Sequence, residues 1–195
     1  MKNIIKTLAA ITCLGMAGTA LATPVTITYT GDNIIGAGTY ICGDSIGCIY
    51  FTSGASNLDE WAQVDSFTID LADGYYEFAF QVENLVPWEG NNPAGLLAEI
   101  SWGTQVNSSS ASWITGMPLN ETTVEYGVNG SSPWSLVSGI SGDAQWIWTS
   151  DNDGTALGTD RYATFFTSIT VPEPATLALF GLGLAGIGFS RRRKA

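Results

Sequence analysis

Between Thr23 and Thr170 the apolar positions recur with a period of two, the spacing that puts every second side chain on one face of a strand. Val25, Ile27 and Tyr29 alternate with threonines and end at Gly31-Asp32-Asn33, and Ile49 to Thr52 is a short β-prone run. Phe67-Thr-Ile69-Asp-Leu71, then Ala72-Asp73-Gly74, then Tyr76-Glu-Phe78-Ala-Phe80-Gln-Val82 read as a hairpin, because Asp-Gly between two alternating runs is a strong turn signal. Further strands are expected around Leu97 to Trp102, Thr122 to Val128, Ser135 to Val137, Gln145 to Thr149 and Ala163 to Val171. No stretch of this body has a 3.6-residue period. Short strands separated by Gly, Asn, Ser and Pro clusters predict an all-β fold, a single antiparallel β-sandwich or jelly-roll domain over residues 23–170. Ser108 to Ser112 reads as a polar loop, and the last strand runs almost without a linker into Val171-Pro172.

The two ends of the chain follow other patterns. Residues 1–22 read as a signal peptide, with Lys2 and Lys6 before an apolar run and Ala20-Leu21-Ala22 as a small-x-small cleavage site. An uncleaved N-terminal anchor is the alternative, but Thr12, Gly15, Gly18 and Thr19 interrupt the apolar run. At the other end, residues 171–195 place Pro172-Glu173-Pro174 before an apolar stretch from Ala175 to Phe189 and a basic tail, Arg191-Arg192-Arg193-Lys194. As a helix that stretch reaches about 24 Å, short of the ~30 Å hydrocarbon core, so it spans only with thinning or arginine snorkelling. The positive-inside tendency leaves the tail in the cytoplasm and the body outside.

Composition narrows the chemistry. The 195 residues include no His, which removes Ser-His-Asp and Cys-His triads and any imidazole ligand or base. All 18 acidic residues but Glu173 lie between Thr23 and Thr170, against a single basic residue, Arg161. That body therefore carries about -16, within a whole-chain charge of -11. Such a field repels nucleic acid and anionic headgroups, so no nucleic-acid partner is expected. Without a lysine in the body, Schiff-base chemistry and a phosphate-gripping P-loop are also absent.

The order Pro172-Glu173-Pro174, glycine-rich apolar helix, then Arg191, Arg192 and Arg193 resembles the PEP-CTERM sorting signal of Gram-negative bacteria. The resemblance implies recognition by exosortase, a membrane-embedded transpeptidase-like enzyme, and association with exopolysaccharide and biofilm matrix. It covers only the last 25 or so residues and leaves the activity of the body open. The physics suits a processing signal: two prolines forbid a continuing helix or strand, and Gly181/Ala185 and Gly186/Ser190 have the small-xxx-small spacing that admits a partner helix. A plain anchor or a self-dimerising helix is the alternative.

Remaining candidates are weaker. With Cys13 in the signal, Cys42 and Cys48 form an even pair in an oxidising compartment, and their spacing suits a short disulfide loop better than the Cys-x2-Cys of metal sites. Seven tryptophans in an acidic all-β domain suggest sugar stacking, with Trp146 and Trp148 on one strand face as either core or platform. Asn107, Asn120 and Asn129 match the N-glycosylation pattern and read as polar loops. Asp151, Asp153, Thr155 and Asp160 fall on calcium-loop positions 3, 5, 7 and 12, against the alternative of an Asn-Asp-Gly turn; no other cofactor is implied. An enzyme would need paired carboxylates among Glu77, Glu83, Glu89, Glu99, Glu121 and Glu125, and nothing singles out a pair. The expectation is a non-enzymatic exported protein, with a carbohydrate-binding module as the alternative and a glycoside hydrolase behind it.

Overall fold

The computed structural model describes residues 22–32, 34–35, 39–51, 61–84, 94–117, 121–150, 162–173, 181 and 183. Its strands are β1 (Thr23–Asp32), β2 (Ile34–Ile35), β3 (Tyr40–Gly43), β4 (Gly47–Tyr50), β5 (Asp65–Leu71), β6 (Gly74–Glu83), β7 (Gly95–Trp102), β8 (Gln105–Ser108), β9 (Ile114–Met117), β10 (Thr123–Val128), β11 (Gln145–Thr149) and β12 (Tyr162–Val171). They form two six-stranded sheets. One runs β10-β11-β7-β1-β5 with β8 beside β7; the other runs β4-β3-β6-β12-β9 with β2 beside β6. Every pairing is antiparallel, which makes the architecture a β-sandwich.

Period-two patterning builds the core. Val25, Ile27 and Tyr29 of β1 and Leu96, Ala98 and Ile100 of β7 meet Phe78, Phe80 and Val82 of β6 and Phe165 and Ile169 of β12 in one buried cluster. Each large apolar side chain buried there contributes about 1.5–3 kcal/mol relative to exposure, before the entropy of ordering it. Trp113 stacks on Phe80 with ring centroids 5.4 Å apart, closing the cluster beside β9.

The expected hairpin at Asp73-Gly74 is not one. β5 pairs with β1 in the first sheet, whereas β6 pairs with β12 and β3 in the second. Ala72 and Asp73 are therefore a corner between sheets. A hairpin would set both apolar faces on the same side of one sheet; the corner instead sets them on opposing sheets, so that Phe67, Ile69 and Leu71 face the same interior as Tyr76, Phe78 and Phe80. The Tyr76 hydroxyl fastens it, donating to the Ala72 carbonyl at 3.1 Å, and Gly74 supplies a φ of 149°.

A second departure lies at Ser135 to Val137, which form no strand. They belong to a loop over the outer face of the first sheet, where Trp134, Val137, Ile140 and Ala144 cover Leu97 and Trp146. Asn129 holds this loop: its amide donates to the carbonyls of Val137 (2.9 Å) and Ile140 (3.0 Å) and accepts from Val137 N–H (2.8 Å). Trp134 and Trp146 stack at 4.5 Å directly above Gly95, where a Cβ would lie 2.7 Å from one ring and 3.0 Å from the other.

Candidate functional site

The sorting segment leaves the sandwich from a fixed point. β12 pairs with β6 along its whole length, ending with Val171 opposite Gly74. Val171 is 1% exposed and sits in the core, whereas Pro172 and Glu173 are exposed. The chain thus passes from a buried, paired residue to an accessible one in a single step. Pro172 cannot donate a ladder hydrogen bond, so the strand has no means of continuing through it.

The start of β1 lies at the same end. Thr23 is opposite Leu71, and the Ala72–Asp73 corner joins Leu71 to Gly74, the partner of Val171. Beyond Glu173 the described residues are Gly181 and Gly183, both helical and exposed. Among the described residues no helix is long and apolar enough to cross a membrane. Pro174, Arg191, Arg192 and Arg193 lie outside the described residues.

Cys42 and Cys48 face each other across the β3–β4 hairpin and are joined by a disulfide. The hairpin turns through Asp44, Ser45 and Ile46. Ile46 N–H donates to the Gly43 carbonyl at 3.1 Å, closing the turn, and Gly47 takes φ 64°, a left-handed conformation that glycine adopts without strain. The bridge thus staples a local hairpin.

Trp146 and Trp148 require a correction, since both are fully buried and offer no surface for a sugar ring. Nor do they share a cluster: Trp146 packs with Trp134 on the outside of the first sheet, while Trp148 meets Phe165 at 5.9 Å inside the sandwich. Opposite them β10 carries a register shift between Glu125 and Gly127, with Tyr126 as the extra residue on that strand.

The carboxylates serve backbone groups. Glu99 accepts from Ser141 N–H at 3.0 Å and Glu125 from Ala111 N–H at 2.7 Å, tying loops to β7 and β10. Glu77 and Glu83 are half-buried on β6. Among the described residues no group of three or more acidic or cysteine side chains could hold a metal. The calcium-loop positions Asp151, Asp153, Thr155 and Asp160 lie outside the described residues, as do Glu89 and Asn120.

Two tyrosines are electrostatically perturbed. Burial, with Asp65 opposite it adding, pushes the Tyr29 phenol up to about 12. Tyr40 is raised by burial first, then by Glu77 and Tyr50.

Sequence reasoning missed several residues that position the framework. Ser109, read as part of a polar loop, is completely buried: its hydroxyl donates to Gln145 O at 2.6 Å and accepts from Ala98 N–H at 3.1 Å, filling a gap between β7 and β11. Asn107 donates to Thr167 Oγ1 at 2.9 Å and accepts from Trp113 Nε1–H at 3.2 Å, joining β8 to β12 and to the residue just before β9. Asn129 holds the outer loop. A polar side chain in a turn-rich run looks the same whether it faces water or a backbone amide, so the sequence carried no signal for these three.

No curated protein and no solved structure is matched by this chain. Residues 170–194 match the family described as the PEP-CTERM protein-sorting motif, beginning at Thr170, the penultimate residue of β12, and running through the exposed Pro172-Glu173 and the apolar segment to the basic tail. The C-terminal segment of this chain is a PEP-CTERM protein-sorting motif.

Proposed function

We propose that this is an exported, non-enzymatic surface or extracellular-matrix protein, presented by Pro172-Glu173-Pro174 to an exosortase-like membrane enzyme and linked to exopolysaccharide or biofilm. The abrupt passage from buried Val171 to exposed Pro172, within the matched sorting motif, carries this reading. A processing enzyme needs an extended, accessible backbone, and two prolines beside a fully paired strand end supply one. The folded body then acts as the cargo, held outside the inner membrane by a short apolar helix with its basic tail in the cytoplasm until it is cut. The absence of His from the whole chain and of Lys from the body supports a non-catalytic body, as do the structural tasks of Glu99 and Glu125.

Intact-mass analysis of the protein recovered from producing cells tests the reading. The expected product begins at Thr23 and ends near Pro172, with any added mass marking an attached group. Deleting residues 172–195 should move the protein out of the membrane fraction and abolish that processing. Identical fractionation and an uncut C-terminus in the unmodified chain would overturn it.

A further inference from the structure

The outer face of the second sheet carries a feature that sorting does not use. Tyr50 of β4 is opposite Tyr40 of β3, Tyr40 is opposite Ala79 of β6, Ala79 is opposite Phe166 of β12, and Phe166 is opposite Ile114 of β9. Their strand neighbours Ile41, Phe78, Phe80 and Phe165 are fully buried in the core, so alternation turns this row outward. The row is a transverse band crossing five strands, roughly 19 Å at four inter-strand spacings; Ala79 at its centre is fully covered, and the aromatic rings of Tyr40 and Phe166 on either side of it are half-buried. Tyr50 and Ile114 at its ends are 67% and 68% exposed. Tyr40 and Tyr50 meet edge to face at 5.7 Å, and Gly116, lacking a Cβ, lets the Phe166 ring lie over β9.

Polar rows flank the band. Glu77 and Ser168 are opposite each other on one side, and Gln81 and Thr164 on the other. Aromatic faces bordered by carboxylate, amide and hydroxyl groups match a sugar chain, whose rings have apolar faces and hydroxyl-bearing edges. The charge argument decides which sugars: a body with 17 acidic residues and one arginine repels anionic polymers. Area argues against a protein partner or a second copy. The exposed apolar surface of the row, mostly Tyr50 and Ile114, is on the order of 300 Å², below the roughly 800 Å² per partner of a stable protein interface.

We propose that this band binds an extended, uncharged polysaccharide, with Tyr50, Tyr40 and Phe166 stacking on pyranose faces and Glu77, Gln81, Ser168 and Thr164 meeting hydroxyls. It places the sugar contact on exposed Tyr50 and half-buried Tyr40 where composition pointed to tryptophans. The proposal does not depend on how the C-terminus is processed.

The test mixes the protein recovered from producing cells with insoluble cellulose, chitin and curdlan, and with alginate as an anionic comparison. Retention on at least one neutral polymer is expected. Tyr50→Ala should weaken that retention about tenfold, and the Tyr40→Ala/Tyr50→Ala double variant should abolish it. Leu136→Ala, which removes an equally exposed apolar side chain outside the sheet, should bind as the unmodified protein does, and unchanged melting temperatures should show that all variants fold. Four results would each overturn the proposal: no retention on any neutral polymer, retention indifferent to both tyrosines, preference for alginate, or a concentration-dependent dimer that Tyr50→Ala dissolves.

Discussion

At the scale of single residues, the buried phenol of Tyr29 ties packing to pH. It is 2% exposed, directly opposite Asp65, and its folded value of about 12 lies above the ordinary 10.0. A raised folded value means that the unfolded chain gives up this proton first. Its stabilisation is complete below pH 10 and declines as pH rises from 10 toward 12, by up to about 3 kcal/mol. Denaturation followed across that window should show the decline, and Tyr29→Phe should flatten part of it while leaving neutral-pH behaviour little changed. Gly95 supplies a steric counterpart. The indoles of Trp134 and Trp146 press on it from one side, so Gly95→Ala forces at least one ring to move. Overpacking of this kind costs about 1–3 kcal/mol, readable as a lower urea midpoint with an unchanged slope.

At the scale of elements, the β3–β4 hairpin depends on its disulfide more than the inner strands depend on any one contact. β4 is an edge strand of four residues, all exposed, and among the described residues it pairs with β3. Closing so small a loop contributes roughly 2 kcal/mol by constraining the unfolded chain. Replacing both cysteines by alanine should lower global stability by about that amount, and amide exchange should quicken most in Gly47–Tyr50. The long strands β1, β6 and β12 were legible in the sequence because each alternates over many residues and keeps one face in the core. β2, β8 and β9 escaped notice, being two to four residues long, too short for a period to show. β3 is equally short and was hidden behind the cysteine spacing. The Asp73-Gly74 turn shows a different limit: local chemistry specifies that the chain reverses, while the choice between pairing in one sheet and crossing to the other is made by where the two apolar faces find cover. The sorting motif was legible because it is a linear signal, whereas the tyrosine band exists only through the register of five strands.

At the scale of the whole molecule, net charge sets how the sandwich answers to ions. With 17 carboxylates and one arginine between Thr23 and Thr170, self-repulsion opposes the compact state, because folding brings charges together that the unfolded chain holds apart. Raising sodium chloride from about 0.01 M to about 0.15 M shortens the screening length from ~30 Å to ~8 Å and should raise the melting temperature. Calcium separates general screening from a specific ion. If Asp151, Asp153, Thr155 and Asp160 act as a hard-oxygen set, millimolar calcium stabilises beyond sodium chloride of the same ionic strength, and Asp153→Ala removes only that excess. If the same segment is merely an Asn-Asp-Gly turn, calcium and matched sodium chloride shift the melting temperature alike and Asp153→Ala changes neither response, apart from the small relief of losing one negative charge. Melting curves in the two salts, with and without the substitution, therefore assign the effect either to the whole acidic surface or to one loop on it.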